Sequence, residues 1–322
     1  MGNLNFGKMI LIIGKKPDRS GIGGVTVHVN RLLMLMDKFS LNCEFHDLHF
    51  KKDILKVPLR ILNSDVIHLH SSNVFLRLGI SLFCLFFKKK LIITIHGNLG
   101  RYNFFKNKLD SISVKYSYMP ILINKNSYSI AKKINKNAKL MSAYIPPIKT
   151  KLISTSITNE IKAQKNRSKL IVVTNAFNIS FDKNKKETYG ISSLLSYFKD
   201  KKDYFIVIAD PSGNYEKFIF EKFNHLYNLA YFITEKIDFY ELLKLSDIYI
   251  RNTTTDGDSL SVREALELNV VCYATDVVDR PDKTIVYDSL DNIKLSKSNF
   301  IKSQPKKLYD FFIDYKKIYL CE

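Results

Sequence analysis

A strand, a polar loop and a helix follow one another between Tyr249 and Asp282, and this order constrains the fold more than any other part of the chain. The apolar run Asp247–Ile250 predicts a buried strand, and the Asn, Thr, Gly and Asp residues behind it cannot continue one. Ser259 or Ser261 then caps a helix with apolar residues at helical spacing. The segment therefore predicts one strand–loop–helix unit of an α/β domain.

Two acids stand at this junction, Asp256 in the loop and Glu264 one turn inside the predicted helix. A helix N-terminus with exposed amides attracts phosphate. Glu264 lies too close to a diphosphate bound there to be a favourable phosphate ligand, so its carboxylate is better suited to accept hydrogen bonds from sugar hydroxyls. The alternative is that both acids only stabilise the helix dipole. The order of loop, capped helix start and acid favours a ligand site.

The segment resembles the donor-binding signature of glycosyltransferase family 4, whose members are retaining enzymes with the GT-B fold. In that signature an acid, seven residues and a Glu precede an Ala-Leu or Ala-Met pair; here these are Asp256, Glu264 and Ala265-Leu266. The resemblance implies that Glu264 binds the ribose hydroxyls of a nucleotide sugar and that Asp256 faces the donor hexose, in a catalytic position. It also implies that amides near Ser261 and Val262 bind the diphosphate. The family usually has Glu as the first acid, so the shorter Asp predicts a different donor geometry or sugar preference.

Near the N-terminus, the predicted strand Met9–Ile13 runs into a loop with Gly21, Gly23 and Gly24, and a helical pattern follows. Glycines let a ligand approach the backbone, but the spacing is not the dinucleotide pattern GxGxxG, so a structural turn is the alternative. Gly23 and Gly24 resemble the Gly-Gly pair that opens the family's first helix. The resemblance implies that they lie near donor phosphate and acceptor.

Two further strand-like runs, Asp65–His70 and Leu91–Gly97, end in histidine and small residues. Ligands gather at the carboxyl ends of parallel strands, which predicts that His70 and His96 face a cleft. His68 and His70 share one strand face, as a metal pair would, but no third ligand with suitable spacing is evident, so no metal site is predicted. His96 resembles the family's strand-end His-Gly, which implies a catalytic contact with the donor sugar. His70 is the weaker candidate, for the acceptor.

Basic residues for the diphosphate are harder to place. The family follows the first strand of its second domain with an Arg or Lys pair that ends in Lys-Gly. Here that strand is Lys169–Thr174, and Tyr189-Gly190 stands in place of Lys-Gly. The candidates for the missing charge lie in the same loop or beside the signature: Lys183, Lys185, Lys186, Arg251 and Arg263. A solvated loop is an equal alternative for the lysines, and together with Ser259 these residues complete the predicted donor site.

The 322 residues, 46 % of them hydrophobic, suffice for two cores. We expect the GT-B form of an α/β protein, with two Rossmann-like domains facing a central cleft. Residues 1–150 are predicted to bind the acceptor and residues 151–322 the nucleotide sugar, with a boundary near Ile145–Pro147 and a polar span to about Ser168. An amphipathic helix at about 305–319 returns to the first domain or covers an edge of its own.

Charge is unevenly distributed, since residues 1–165 hold 27 Lys and Arg against 8 Asp and Glu, whereas residues 166–322 hold 23 of each. This asymmetry predicts a surface that meets an anionic partner. The run Leu82–Lys90 places apolar residues beside a basic cluster, which favours anionic membrane headgroups over nucleic acid. A solvated, lysine-rich surface is the alternative. Four scattered cysteines indicate no disulfide framework, and no signal peptide precedes the first strand, so a cytoplasmic protein peripheral to the inner face of the membrane is expected.

Together these features predict a retaining glycosyltransferase that moves a hexose from a nucleotide diphosphate sugar to a glycan acceptor, lipid-linked in form. The setting expected from the resemblance is bacterial surface polysaccharide biosynthesis, of capsule or lipopolysaccharide. The family is metal-independent, so no cofactor is expected beyond the sugar nucleotide as co-substrate. The alternatives are a sugar-nucleotide epimerase or hydrolase on the same fold, or a catalytically silent nucleotide-sugar-binding subunit.

Overall fold

The computed structural model describes residues 8–16, 23–49, 51–296 and 307–320. The chain forms two compact units, one from Met1–Ile148 together with Lys306–Glu322 and one from Lys149–Pro305. Each unit contains one six-stranded sheet whose neighbouring strands are all parallel. The glycine at position 21 and the expected helix start at 305 lie outside the described residues.

The first unit alternates strands and helices. Its strands are β1 (Ile10–Gly14), β2 (Cys43–Asp47), β3 (Val66–Leu69), β4 (Lys90–Ile95), β5 (Met119–Leu122) and β6 (Lys139–Leu140). Its helices up to the boundary are α1 (Gly24–Lys38), α2 (Lys51–Ile54), α3 (Val57–Leu62), α4 (Val74–Phe86), α5 (Phe104–Tyr116) and α6 (Lys125–Ile134). The sheet order is β2-β1-β3-β4-β5-β6. The direction of winding therefore reverses between β1 and β3, where an open α/β sheet forms its ligand crevice.

The second unit repeats the pattern. Its strands are β7 (Leu170–Asn175), β8 (Tyr204–Ala209), β9 (Ala230–Ile233), β10 (Ile248–Arg251), β11 (Val271–Thr275) and β12 (Ile285–Tyr287). Its helices are α7 (Thr155–Asn166), α8 (Ile191–Phe198), α9 (Asn214–Lys222), α10 (Asn224–Tyr227), α11 (Phe239–Lys244) and α12 (Leu260–Glu267), followed by a 3₁₀ turn at Leu290–Asn292. The order β12-β11-β10-β7-β8-β9 is that of the dinucleotide-binding Rossmann sheet. Its winding reverses between β7 and β10.

The central strands are buried because they are largely apolar, whereas the edge strands β2, β6, β9 and β12 are only partly buried. All five residues of β1 and of β11 are buried, as expected for parallel strands covered by helices on both faces. The last helix, α13 (Leu308–Leu320), packs in the first unit, where Phe312, Tyr315 and Ile318 join the core formed by β1 and α1. No helix of the ranges described above is long and apolar enough to cross a bilayer.

Helix α7 lies within the polar span expected to reach Ser168, where no helix was predicted. Ile157, Ile161 and Gln164 are buried at helical spacing, and the two isoleucines join the core of the second unit. Most of the other residues are polar and lie exposed or half-buried. The buried stripe is narrow, with two isoleucines among twelve residues. The polar composition therefore gave no helix signal, and the packing of Ile157 and Ile161 in the core stabilises the helix.

Candidate functional site

The winding reversal of the second unit brings the ends of β7 and β10 side by side. The two strands pair in parallel, with Ile248 opposite Val172 and Tyr249 opposite Val173. Beyond Arg251 the chain leaves the sheet as a loop and enters α12, which is the strand–loop–helix order predicted for this segment. The strand is shifted by one residue from the prediction. The candidate donor residues of the signature therefore lie at the crevice position of this sheet.

Arg251, Asp256 and Arg280 form what we call the Arg–Asp–Arg cluster. Arg251 donates from Nε and Nη2 to the two carboxylate oxygens of Asp256, both at 3.1 Å, and Arg280 donates from Nη1 at 2.8 Å. The amide of Gly257 donates a fourth bond at 3.1 Å. The side chains of Arg251, Asp256 and Arg280 are 12 %, 8 % and 2 % exposed. Two cations share one carboxylate, so the cluster carries a net positive charge.

Electrostatics keep Arg251 and Asp256 ionised. Burial raises the pKa of Asp256, but the charges and hydrogen bonds of Arg251 and Arg280 outweigh burial and hold that pKa below its usual value. Burial lowers the pKa of Arg251, and the Asp256 carboxylate more than reverses this. Arg251 also lies over the ring of Tyr189, with its guanidinium carbon 5.3 Å from the ring centre. The buried excess charge is well placed to attract an anion.

Arg280 is the residue of this cluster that the sequence analysis missed. It follows β11, and its Nε donates to the carbonyl oxygen of Thr275 at 2.8 Å. In the sequence it stands among turn-forming residues with no periodic pattern around it. The single usable signal was its place inside the predicted donor segment.

Helix α12 begins differently from the prediction. Ser259 occupies the N-cap position, but its side chain makes no capping hydrogen bond; it lies 3.1 Å from the hydroxyl of Ser261. Ser261 lies 2.6 Å from the hydroxyl of Tyr249, which donates to Oδ1 of Asn175 at 2.8 Å. Because Tyr249 has a single proton to give, Ser261 donates to Tyr249 and Ser259 donates to Ser261. The hydroxyls thus leave the first turn of α12 without a side-chain cap, as an anion site requires.

The remaining signature residues lie on α12. Val262 is fully buried, and Glu264, one turn inside the helix as expected, is only 4 % exposed. The Nε of Arg263 donates to Oδ1 of Asp258, whose side chain is 5 % exposed. Arg251 and Arg263 are therefore both paired with a carboxylate, and Arg251 differs because a second guanidinium, that of Arg280, shares its carboxylate.

The lysines proposed as substitutes lie on an exposed turn between β7 and α8. Lys183, Lys185 and Lys186 are all exposed, and the amide of Lys186 donates to Oδ1 of Asp182 at 2.9 Å. The same loop approaches the loop after β10, since Nδ2 of Asn252 donates to the carbonyl of Gly190 at 2.8 Å. The lysine turn is therefore anchored near the end of β10.

In the first unit, Gly23 is the N-cap of α1 and Gly24 its first residue, as expected for the glycine pair. The amide of Gly23 donates to the hydroxyl oxygen of Thr26 at 3.1 Å. A Cβ added at either glycine would meet no atom within 4 Å. Neither glycine is needed to make room for the described residues of this chain.

The winding reversal of the first unit carries three imidazoles, His28, His70 and His96, which we call the histidine cluster. His70 and His96 follow β3 and β4 directly, and His28 lies on α1. Nδ1 of His70 and Nε2 of His96 are 3.0 Å apart, and the three ring centres are 5.1–5.3 Å from one another. The sequence predicted His70 and His96 at strand ends, and both directly follow a strand in the structure. It missed His28, which lies in a helical pattern.

His68 was paired with His70 in the sequence analysis, but it has other partners. Its Nδ1 lies 2.7 Å from the hydroxyl of Tyr319 on α13, and its Nε2 lies 2.7 Å from the hydroxyl of Thr94 on β4. Burial lowers the pKa values of His68, His70 and His96 well below the usual range, and the neighbouring imidazoles lower them further. These rings are neutral at neutral pH.

No family model matches the chain, and no curated protein sequence matches it significantly. Solved structures do. HepE from Anabaena, in complex with UDP and glucose, is 12 % identical over 86 % of this chain and 85 % of its own, with a TM-score of 0.62.

Two further solved structures are similar. The lipopolysaccharide outer core galactosyltransferase WaaB is 12 % identical over 97 % of this chain and 90 % of its own, with a TM-score of 0.57. Sucrose-phosphate synthase from Thermosynechococcus elongatus is 12 % identical over 84 % of this chain and 82 % of its own, with a TM-score of 0.56. The predicted fold class is confirmed: the chain has the α/β architecture of GT-B proteins, with one parallel sheet in each of its two units.

Proposed function

We propose that this protein is a glycosyltransferase that uses a nucleotide diphosphate sugar as its donor. The observation that carries the proposal is the net positive Arg–Asp–Arg cluster beside the uncapped start of α12, at the crevice position of a Rossmann sheet. Both features favour a diphosphate. Support comes from proteins of the same fold that were solved with UDP, with UDP-glucose, or with UDP and glucose.

In the proposed mechanism, Arg251 and the first-turn amides of α12 bind the diphosphate. Negative charge grows on the leaving phosphate as the glycosidic bond breaks, so donors already aimed at it stabilise the transition state more than the ground state. Glu264 accepts hydrogen bonds from the ribose hydroxyls. Lys186, on its anchored turn, and Ser259 and Ser261 at the helix start are further donor contacts.

Asp256 acts in this proposal mainly through Arg251. Its carboxylate accepts four hydrogen bonds, which use the directions normally available to two carboxylate oxygens. A direct contact with the donor hexose, as the resemblance implies, would require Asp256 to exchange one of these bonds. We therefore propose Asp256 as the residue that positions the guanidinium of Arg251.

The finer features of the proposal rest on the resemblance to glycosyltransferase family 4. They are a retaining reaction, a hexose as the transferred sugar, and a lipid-linked glycan acceptor in bacterial surface polysaccharide assembly. The similarity in fold to a lipopolysaccharide galactosyltransferase supports this setting. His96 and His70 keep their predicted places at the donor sugar and the acceptor.

Donor binding is tested by thermal shift against a panel of UDP- and GDP-sugars. Selective stabilisation by one of them reveals base and sugar together. Glu264→Gln should lower this shift strongly and raise the Michaelis constant for the donor in a labelled-sugar transfer assay. Glu221→Gln, at an exposed position on α9, is the matched control and should behave as wild type.

The outcomes separate the alternatives. Turnover of the donor without any acceptor would indicate an epimerase or hydrolase, and stabilisation without turnover would indicate a silent binding subunit. Wild-type kinetics for Glu264→Gln would rule out the ribose role. A chain that no nucleotide sugar stabilises contradicts the proposal as a whole.

We further propose that the first unit docks on an anionic membrane surface through α3 and α4. The exposed apolar side chains of this apolar–basic surface are Leu55, Leu59, Leu62, Phe75, Leu82, Leu85, Phe86 and Phe87. Nζ of Lys89 donates to the carbonyl of Leu62 at 2.7 Å, which brings the ends of α3 and α4 together. Lys88, exposed beside Phe87, adds positive charge at the same place. Apolar side chains beside basic ones are typical of surfaces that insert into the headgroup region.

Liposome co-sedimentation tests this surface. Binding should increase with the fraction of anionic lipid and weaken with salt. Phe86→Ser should reduce binding several-fold, whereas Phe220→Ser, at an exposed position of the second unit, should not. Binding that is indifferent to lipid charge and salt, or equal in the two variants, contradicts the proposal.

A further inference from the structure

The histidine cluster has the dimensions of a metal site. An imidazole nitrogen lies about 2.0–2.1 Å from a bound Zn²⁺. With the ring centre about 1.1 Å farther out, two rings at the tetrahedral angle have their centres about 5.2 Å apart. The three centroid distances in the cluster are 5.1, 5.1 and 5.3 Å. The candidate ligand nitrogens lie within 4.8 Å of one another, whereas two nitrogens around one tetrahedral Zn²⁺ are about 3.3 Å apart, so the rings must turn to share one ion.

The tautomer of His28 is already fixed in the form that a metal requires. Its Nδ1 lies 2.5 Å from the carbonyl oxygen of Ala143, and a carbonyl oxygen only accepts, so Nδ1 carries the proton. The lone pair is therefore on Nε2. A metal-binding histidine commonly donates its other ring nitrogen to a backbone carbonyl, which orients the ring and increases its basicity.

His70 provides the second, independent observation. Its ring is 2 % exposed, and its Nε2 has no hydrogen-bond partner among the residues that the structure describes. Whichever of His70 and His96 donates across their 3.0 Å contact, this buried nitrogen keeps a lone pair or a proton unsatisfied. An ion in the cluster would replace the contact between the two rings by coordination.

We propose that His28, His70 and His96 bind a divalent transition-metal ion of the Zn²⁺ class. Three imidazoles suit zinc, copper, nickel or iron, whereas Mg²⁺ and Ca²⁺ prefer oxygen ligands. The donor set is neutral, so the ion keeps its charge and favours an anionic or readily ionised fourth ligand, such as hydroxide or a phosphate oxygen. Three protein ligands leave that fourth position open.

The ion joins three elements that meet at the winding reversal of the first unit: α1 and the ends of β3 and β4. It changes the assignment made from resemblance, because a coordinated His96 no longer has that nitrogen for a hydrogen bond to the donor sugar. The inference rests on the geometry of the cluster and not on the glycosyltransferase proposal, although it excludes the direct sugar contact proposed above for His96.

Cobalt(II) substitution tests the inference on the full chain, purified with chelator and without any nucleotide sugar. Wild type should bind one Co²⁺, with the intense visible bands of a tetrahedral site, and Zn²⁺ should displace it with equal stoichiometry. His96→Gln and His28→Gln should each weaken Zn²⁺ binding at least ten-fold in a competition titration. His225→Gln, an exposed histidine of the second unit, is the matched control.

A folding defect in a variant is recognised by circular dichroism, and the wild-type cobalt spectrum then decides alone. Absence of a tetrahedral spectrum, or affinity unchanged in folded His28→Gln and His96→Gln, overturns the inference. The cobalt titration measures metal binding and not sugar transfer. Failure of the metal inference is therefore distinguishable from failure of the donor-binding proposal.

Discussion

The two units place different chemistry at the same position of the same kind of sheet. At its winding reversal the second unit has two guanidiniums around one carboxylate, with every carboxylate oxygen hydrogen-bonded. The first unit has three imidazoles, and those of His70 and His96 are neutral because their pKa values lie well below the usual range. An excess of fixed positive charge favours an anion, whereas neutral nitrogen lone pairs favour a soft cation or an uncharged sugar. The sheet topology therefore determines where a ligand binds, and the side chains at that position determine which ligand charge is favoured.

Acidification should separate the two units by the largest margin, in protein kept metal-free with chelator. The folded pKa values of His68, His70 and His96 lie below the unfolded value of about 6.5, so the unfolded chain takes up protons that the folded unit refuses. The first unit keeps this contribution above about pH 6.5 and loses up to about 4 kcal/mol for each pH unit below it. The folded pKa of Asp256 is also lowered, but its contribution is lost only below about pH 4.

Urea unfolding with proteolytic mapping at pH 7.5, 6.0 and 5.0 measures this difference. His68→Gln should flatten the pH dependence, and the exposed His225→Gln should leave it unchanged. Equal loss of stability in both units above pH 5 would contradict the comparison.

Asp256→Asn should have the next largest effect, a loss of about 3–5 kcal/mol in the free energy of unfolding. It leaves the nearly buried guanidiniums of Arg251 and Arg280 without their counter-charge. The control is Glu44→Gln in the exposed pair with Arg60, where the loss should stay below about 1 kcal/mol. Chemical denaturation of both variants provides the numbers; similar losses would show that Asp256 is not the anchor of the cluster.

Tyr319→Phe probes how α13 is held in the first unit. Removing its hydroxyl leaves Nδ1 of the buried His68 without a partner, which should cost about 1–3 kcal/mol. Tyr309→Phe, at an exposed position on the same helix, should change stability by less than about 0.5 kcal/mol. Thermal denaturation compares them, and equal melting temperatures would mean that the hydroxyl contributes nothing.

Gly190→Ala should have the smallest effect of the series, about 1–2 kcal/mol before any relaxation of its neighbour. Gly190 has a φ of +51°, and an added Cβ would lie 2.4 Å from Nδ2 of Asn252. Gly79→Ala, inside α4 with no atom near its Cβ position, should stabilise the first unit by about 0.5–1 kcal/mol. Opposite signs in urea titrations are the expected result, and equal signs would contradict it.

Sequence patterns predicted most of the fold because parallel strands buried on both faces are nearly uninterrupted apolar runs. Strands β1, β7 and β10 lie within one residue of their expected positions. The pattern failed at α7, where two isoleucines in a polar segment supply the buried stripe. Hydrophobic periodicity is weak wherever most of a helix faces solvent.

At the two sites, the sequence could predict residues that directly follow a strand. It could not predict residues that are distant in sequence from the site and reach it only in the folded chain. Asp256, Glu264, His70 and His96 are ordered by local strand and helix signals. Arg280 binds Asp256, which is 24 positions away in the sequence. His28 lies on α1 and meets the other two histidines, which follow β3 and β4. No local pattern reports such distances.

The sequence by itself determined the α/β class and the strand-end position of most candidate residues, because burial and helix starts are encoded over a few consecutive positions. Only the tertiary structure decided what those residues face. Asp256 contacts two guanidiniums, and His28 lies beside His70 and His96. The hydroxyls of Ser259 and Ser261 bond to each other and to Tyr249 and not to the amides of the helix. The physical reason is that charge pairing and coordination depend on distances in space, which sheet topology sets and sequence spacing does not.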